Sequence, residues 1–252
     1  MTSADSGRVA LVTGAGRGIG RATALLLAER GMRVMATARS QPELQSTGLD
    51  YVTGDLMEPG ACEQIVAETR RRLGPIEVLV NNAGLGSADE REVWLQPPDV
   101  WRDTMALNLD APFRLCRAAV PDMVERGWGR CVFVSSTAGL FADRAMSAYC
   151  ASKAGLLGLM RGLAADAGDR GVTSNAVLPG WVRTEMAELS AREEAERRGI
   201  EPEQVWTDRA VSYPAGRVVT TAEVAETIAF LCAEASSGIN GECVTVALGS
   251  HW

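Results

Sequence analysis

The stretch Arg8–Gly20, RVALVTGAGRGIG, decides how this chain folds. Arg8–Thr13 is an apolar run of strand length, rich in β-branched residues. It runs into glycines at 14, 16, 18 and 20. Ile19, Ala22, Leu26 and Leu27 then share one helical face, and Gly31 suits the end of that helix. A strand, a glycine turn and a helix in this order let the backbone approach a pyrophosphate. The helix N-terminus offers free N–H groups and the positive end of its dipole. The spacing is G-x-x-x-G-x-G, not the commoner G-x-G-x-x-G, and taken alone it also fits a plain tight turn.

Working outward, the same alternation continues. Strands are expected at Arg33–Thr37, Leu49–Thr53, Ile76–Val80, Arg130–Ser135, Val172–Leu178 and Glu242–Ala247. Helices are expected at Ala61–Leu73, Val100–Arg126, Ser147–Ala167 and Glu223–Glu234, while residues 184–215 are polar and carry no clear period. No linker divides the chain. The alternation predicts one α/β domain, a doubly wound parallel sheet with helices on both faces. Such sheets bind ligands beyond the carboxyl ends of their strands.

Composition bounds the function. The chain has 252 residues, 46% hydrophobic and 23% charged, enough to fill a core and too apolar for disorder. Its 25 basic and 32 acidic residues leave a net charge of −7. An acidic surface repels nucleic acid. Mean hydropathy is −0.00, and no apolar run approaches the ~18 residues of a membrane span. The start, MTSADSGR, lacks a basic stretch followed by an apolar one, so a cytoplasmic protein is expected. Six cysteines at 62, 116, 131, 150, 232 and 243 form no C-x-x-C pair, and His251 is the single histidine. No metal site is expected, the thiols should be reduced and mostly buried, and a Ser-His-Asp or Cys-His hydrolase is disfavoured.

An acid at the end of the second strand would hold the ribose 2′-hydroxyl of NAD. This chain reads Thr37-Ala38-Arg39-Ser40 there. Arg39, with Arg17 of the glycine loop, could instead clamp a 2′-phosphate, which favours NADP(H). Downstream, Tyr149 and Lys153 stand one helical turn apart on a shared face. A free phenol has a pKa of about 10, and a neighbouring ammonium moves it toward working pH. Ser136, at a strand end, can donate to a substrate carbonyl oxygen.

Taken together, the chain resembles the short-chain dehydrogenase/reductase family. The matching pieces run in order: TGAGRGIG at 13–20, Asp55-Leu56, NNAG at 81–84, Asn108 in ALNL, SSTAG at 135–139, YCASK at 149–153 and PGWVRT at 179–184. The resemblance implies a Rossmann-type sheet of about seven strands and a catalytic tetrad of Asn108, Ser136, Tyr149 and Lys153. Tyr149 would be the general acid/base and Ser136 the orienter of the reacting oxygen. Lys153 would bind the nicotinamide ribose and tune Tyr149, and Asn108 would hold a water in a proton relay. The cofactor contacts it implies are Gly14, Gly16, Arg17, Gly18, Ile19, Gly20, Arg39, Asp55, Leu56, Asn81, Ala83, Gly84, Tyr149, Lys153, Pro179, Gly180, Val182 and Thr184. Asp55 is assigned to the adenine, although a helix N-cap is a second reading. Thr184 is assigned to the nicotinamide carboxamide. Asn108 could also serve as a side-chain-to-backbone tie.

The expected reaction is hydride transfer between NADP(H) and a carbonyl or secondary alcohol. A finer likeness points to reductases of 3-oxoacyl thioesters and polyketides, so a CoA or acyl-carrier thioester is a candidate substrate. Arg126, Arg130 and Arg144 are candidate docking cations for it. Substrate walls are expected from Leu85–Gln96, Ala138–Met146 and a lid at 184–215, with Trp181 bordering the pocket and Trp94 and Trp101 as packing residues. The family implies a homo-oligomer, a tetramer or dimer. The C-terminus, Ala247 to Trp252, departs from the family's usual Gly-Gly and could place Trp252 in an interface. The alternatives are an NAD-dependent secondary alcohol dehydrogenase and a non-catalytic dinucleotide sensor.

Overall fold

A computed structural model describes residues 5–86, 91–142 and 144–250. Trp252 and His251 lie outside them. Seven strands form one sheet: β1 Val9–Thr13, β2 Arg33–Ala38, β3 Asp50–Thr53, β4 Val78–Asn81, β5 Gly129–Val134, β6 Val172–Pro179 and β7 Cys243–Val246. The order is β3-β2-β1-β4-β5-β6-β7, and every pairing is parallel. The chain reverses its winding between β1 and β4, and the crevice of such a sheet opens there.

The alternating side chains of each strand divide the core into two layers. Leu11, Met35, Leu79 and Phe133 face one side, under α3 Ala61–Leu73, α5 Ala111–Arg126 and α6 Ser147–Ala167. Ala10, Val12, Ala36, Val80 and Val132 face the other, under α1 Gly18–Glu29 and α9 Thr221–Leu231. The six cysteines are free thiols, four of them buried. Among the described residues no group of His, Cys, Asp and Glu could hold a metal, and no helix is long and apolar enough to cross a membrane.

Two elements differ from the sequence expectation. The stretch expected as one helix over Val100–Arg126 is split into α4 Pro98–Met105, a wider π turn at Ala106–Asp110, and α5. A π turn keeps the apolar period almost unbroken, so the pattern alone does not betray it. A short helix, α2 Gln41–Gln45, follows β2 where no helix is expected. Residues 184–215, which the period left unassigned, hold two helices, as a lid of one or two helices would: α7 Glu185–Arg198 and α8 Pro202–Val211.

Candidate active site

The crevice is assembled by backbone geometry first. Gly14 has φ +64°, in the left-handed region open to glycine, and a Cβ there would lie 2.8 Å from the Asn82 amide. A Cβ on Gly20 would collide with the Gly14 carbonyl and the Asn82 amide. Thr13 Oγ1 accepts the backbone N–H groups of Asn82 and Ala83, each at 3.0 Å, and Asn82 Nδ2 donates to the Thr13 carbonyl at 2.9 Å. These bonds tie the two strands that flank the winding reversal. Thr13 and Asn82 were not singled out from the sequence in this role. A buried threonine ending a strand opposite an Asn-Asn pair is the signal that could have found them.

The residues at this end suit a dinucleotide. No side chain caps α1 and no acid stands in its first turn, so Gly18, Ile19 and Gly20 open a helix whose N-terminus suits an anion. Gly84 keeps space clear: a Cβ there would sit 3.1 Å from Asn108 Oδ1 and 3.6 Å from Lys153 Nζ. Asn81 is buried and its Oδ1 has no protein partner. Pro179 ends β6, Gly180 N donates to the Val246 carbonyl at 3.1 Å, and Val182 is buried beside Val219. Thr184 caps α7, accepting from Ala187 N at 3.3 Å, and its methyl faces Gly18 of the loop.

Asp55 is not a helix cap. It closes a turn after β3, accepting from Met57 N at 3.0 Å, and its carboxylate lies 3.8 Å from the Arg39 guanidinium. Leu56 beside it is buried. Arg17 lies 3.5 Å from Glu185. Each arginine of the expected phosphate clamp is therefore exposed and loosely paired with an acid.

Across the crevice, α6 brings Tyr149 and Lys153 to the end of β5, where Ser136 begins a single 3₁₀ turn. Lys153 is buried, and its Nζ donates to the Val134 carbonyl at 2.9 Å, 5.6 Å from the centre of the Tyr149 ring. Ser135 Oγ donates to the Lys153 carbonyl at 3.0 Å, fixing that turn of the helix to the strand. Burial pulls the Lys153 ammonium down to about 8. Burial pushes the half-buried Tyr149 phenol above its usual range, and a hydrogen bond with the Ser136 side chain opposes this. Ser136 Oγ also accepts from Ala138 N at 3.1 Å, which sets its rotamer. Asn108 rides on the π turn. Its Oδ1 accepts from Leu85 N at 2.8 Å, and its Nδ2 donates to the Leu85 carbonyl and to Ser152 Oγ, both at 3.0 Å. Ser152 Oγ in turn donates to the Tyr149 carbonyl at 2.8 Å. The side-chain-to-backbone tie read from the sequence is thus present, linking the β4 loop to α6.

The substrate side differs from expectation in two ways. Arg130 is buried at the amino-terminal edge of the sheet, and Arg126 closes α5 at that same edge, both away from the crevice. Of the three expected docking cations only Arg144 is on the crevice side, exposed and 3.6 Å from Glu92. Trp94 and Trp101 do not pack inside: they are 77% and 41% exposed. The segment 184–215 is internally tied. Arg209 stacks on Trp181 and Trp206 at 3.6 and 4.9 Å and pairs with Glu194 at 2.9 Å, while Arg183 bridges Glu188 and Glu203. Met186 of α7 abuts Gly86 of the β4 loop.

A parallel sheet wound about this crevice, with a Tyr-Lys pair facing an uncapped glycine-loop helix, defines a Rossmann-type α/β protein. The family model for short chain dehydrogenases matches residues 8–195, and the chain belongs to that family. It is an oxidoreductase of the class acting on CH–OH or keto groups, whose members bind a nicotinamide dinucleotide. It is 33% identical to the 3-oxoacyl-[acyl-carrier-protein] reductase of Escherichia coli strain K12 over 97% of this chain and 98% of that one. It is 32% identical to the D-beta-hydroxybutyrate dehydrogenase of Rhizobium meliloti strain 1021, over 95% and 96%. Among solved structures it is similar to the actinorhodin polyketide ketoreductase with NADPH, at TM-score 0.90 and 34% identity over 99% and 98% of the two chains. Levodione reductase superposes at TM-score 0.92 with 27% identity, over 97% of both chains.

Proposed function

We propose that this chain is an NADP(H)-dependent carbonyl reductase for a 3-oxoacyl or polyketide-type ketone, with Asn108, Ser136, Tyr149 and Lys153 at its reacting centre. The observation that carries the reading is the convergence of the Tyr149 phenol, the Ser136 hydroxyl and the buried Lys153 ammonium opposite the glycine loop. A bound nicotinamide supplies or takes the hydride. Tyr149 gives a proton to the carbonyl oxygen in reduction and takes one from the alcohol in oxidation. Ser136 donates to the same oxygen and polarises it as charge develops. Lys153, with no carboxylate ion-paired to it among the described residues, stabilises the phenolate left on Tyr149. Asn108 fixes the main chain around Leu85 and holds a water for the relay that reprotonates Tyr149.

Arg17 and Arg39 are assigned to the 2′-phosphate, and the NADPH-bound ketoreductase relative supports that choice. Residues 184–215 act as a lid whose outer apolar residues, Met186 and Leu189, border the substrate. The relatives' substrates make a CoA or acyl-carrier thioester the candidate, and assembly as a dimer or tetramer is part of the same reading.

The test is absorbance at 340 nm with NADPH and with NADH against acetoacetyl thioesters, cyclic diketones, steroids and quinones. NADPH-dependent turnover of at least one ketone is expected. Tyr149→Phe should keep NADPH binding and lose turnover by about a thousandfold or more, the size expected of a lost acid–base group with its orienting bond. Retention of more than a few per cent activity rejects that role for Tyr149. Tight NADPH binding with no turnover of any carbonyl or alcohol favours the sensor instead.

A further inference from the structure

The helix α2, absent from the sequence expectation, delivers a carboxylate to the rim of the cofactor crevice. Glu43 lies against the glycine loop: a Cβ built on Gly16 would meet Glu43 Oε2 at 2.8 Å and Glu43 Cβ at 3.0 Å, with Ala38 Cβ at 3.5 Å. Gly16 belongs to the loop that approaches the pyrophosphate, and Ala38 ends the strand whose next residue reads the adenosine ribose. Glu43 therefore stands in the wedge between the phosphate loop and the ribose-reading strand end. The same wedge opens into a cavity of about 440 Å³ lined by Gly16, Arg17, Arg21, Glu43, Ser46 and Glu185, among others.

The charges around this wedge nearly cancel. Arg17 and Arg39 are matched by Glu185 at 3.5 Å and Asp55 at 3.8 Å, and Glu43 adds a third carboxylate with Arg21 as the remaining cation of the cavity. A 2′-phosphate carries close to two negative charges near neutral pH, a 2′-hydroxyl none. A fixed carboxylate next to that position penalises the first and leaves the second almost untouched.

We infer that Glu43 is a cofactor-specificity residue, a negative selector that opposes the arginines and weakens NADP(H) relative to NAD(H). The inference rests on the assignment of Arg17 and Arg39 to the 2′-phosphate. It differs from that assignment in naming a repulsive group, on a different element, that a scan of the strand end for an acid does not reach. Gln at this position keeps the side-chain volume against Gly16 and removes the charge.

The test is direct titration of wild type, Glu43→Gln and Glu43→Ala with NADPH and NADH, followed by the reduced nicotinamide's fluorescence. It is repeated by calorimetry with adenosine 2′,5′-bisphosphate and adenosine 5′-monophosphate. In Glu43→Gln, NADPH and the bisphosphate should bind about five- to tenfold more tightly, as expected for one carboxylate acting on a nearby dianion at a partly solvated rim. NADH and the monophosphate should change less than twofold, and the NADPH gain should shrink in high salt. Equal changes for both cofactors, or none, overturn the inference. If Glu43→Gln is unstable, the same comparison in Glu43→Ala decides. A wild type that prefers NADH sinks the NADP(H) reading but not this inference, which stands or falls on the selective gain.

Discussion

Two buried cations, one at each end of the sheet, are handled in opposite ways. At the amino-terminal edge Arg130 is 2% exposed and amply partnered. Its guanidinium donates to the carbonyls of Ala233, Gly129 and Gly171 and to Ser237 Oγ, lies 3.5 Å from Glu234, and stacks over Trp128. Arg8 also stacks over the same indole, at 3.4 Å from its centre, and Glu234 accepts the Trp128 N–H. At the carboxyl edge Lys153 is 5% exposed and donates to one carbonyl, that of Val134. Among the described residues no carboxylate pairs with it; a buried ammonium with spare donors costs stability, and a fold accepts that cost where the charge is needed for something else. The edge that only closes the molecule satisfies its cation; the edge that opens to ligands leaves its cation under-satisfied.

The largest effect that separates the two is on turnover. On the proposed mechanism, Lys153→Met should lower kcat by about a hundredfold or more, because a phenolate on Tyr149 would lose its cation. It should also change how stability depends on pH. Below about 8 Lys153 carries its proton in both the folded and unfolded states, and above 10.5 in neither. Between those values the unfolded chain holds the proton and the folded one does not. The unfolding free energy of the wild type should therefore climb with pH across that window, by up to about 3 kcal/mol. Urea melts at pH 8 and pH 10 measure it as the difference between wild type and Lys153→Met. A difference that stays flat between the two pH values means that Lys153 is not held near 8.

Arg130→Met should act the other way round. Removing the guanidinium takes one donor each from the carbonyls of Ala233, Gly129 and Gly171 and from the Ser237 hydroxyl, although Ser236 N and Gly129 N still donate to the Ala233 and Gly171 carbonyls, for a loss of about 2–4 kcal/mol. The kcat of the protein that remains folded should stay within about twofold. A loss of kcat at full stability would mean that the amino-terminal edge reaches the site.

The same contrast explains what could be read in advance. Strand and helix periods are local, so β1, α3 and α6 follow from residue order, and the Tyr149–Lys153 pair follows from one helical turn. Arg130 looks like a surface charge because a strand's sequence does not say that Trp128 and the Ala233 carbonyl will close over its first residues. Trp94 and Trp101 look like core for a similar reason, since composition favours burial of tryptophan and only the path of the β4 loop, for Trp94, and the outward face of α4, for Trp101, leaves these two exposed. Glu43 is the hardest case. It sits in a polar stretch after a proline, and its position against Gly16 depends on a five-residue helix.

Arg39 is the third term of the comparison, a cation neither sealed nor buried. It is exposed and only loosely held by Asp55 at 3.8 Å, so it is free to turn to a ligand at little cost. Arg39→Asp should leave the melting temperature close to wild type, because an exposed pair of this length contributes little. It should weaken NADPH binding about tenfold and leave NADH unchanged or tighter, as an acid there can accept from a 2′-hydroxyl. Titration of both cofactors gives the ratio directly. Parallel losses for NADPH and NADH would show that Arg39 meets the adenine face or the backbone phosphates rather than the 2′ position. The specificity would then have to rest on Arg17 and on the loop that carries it.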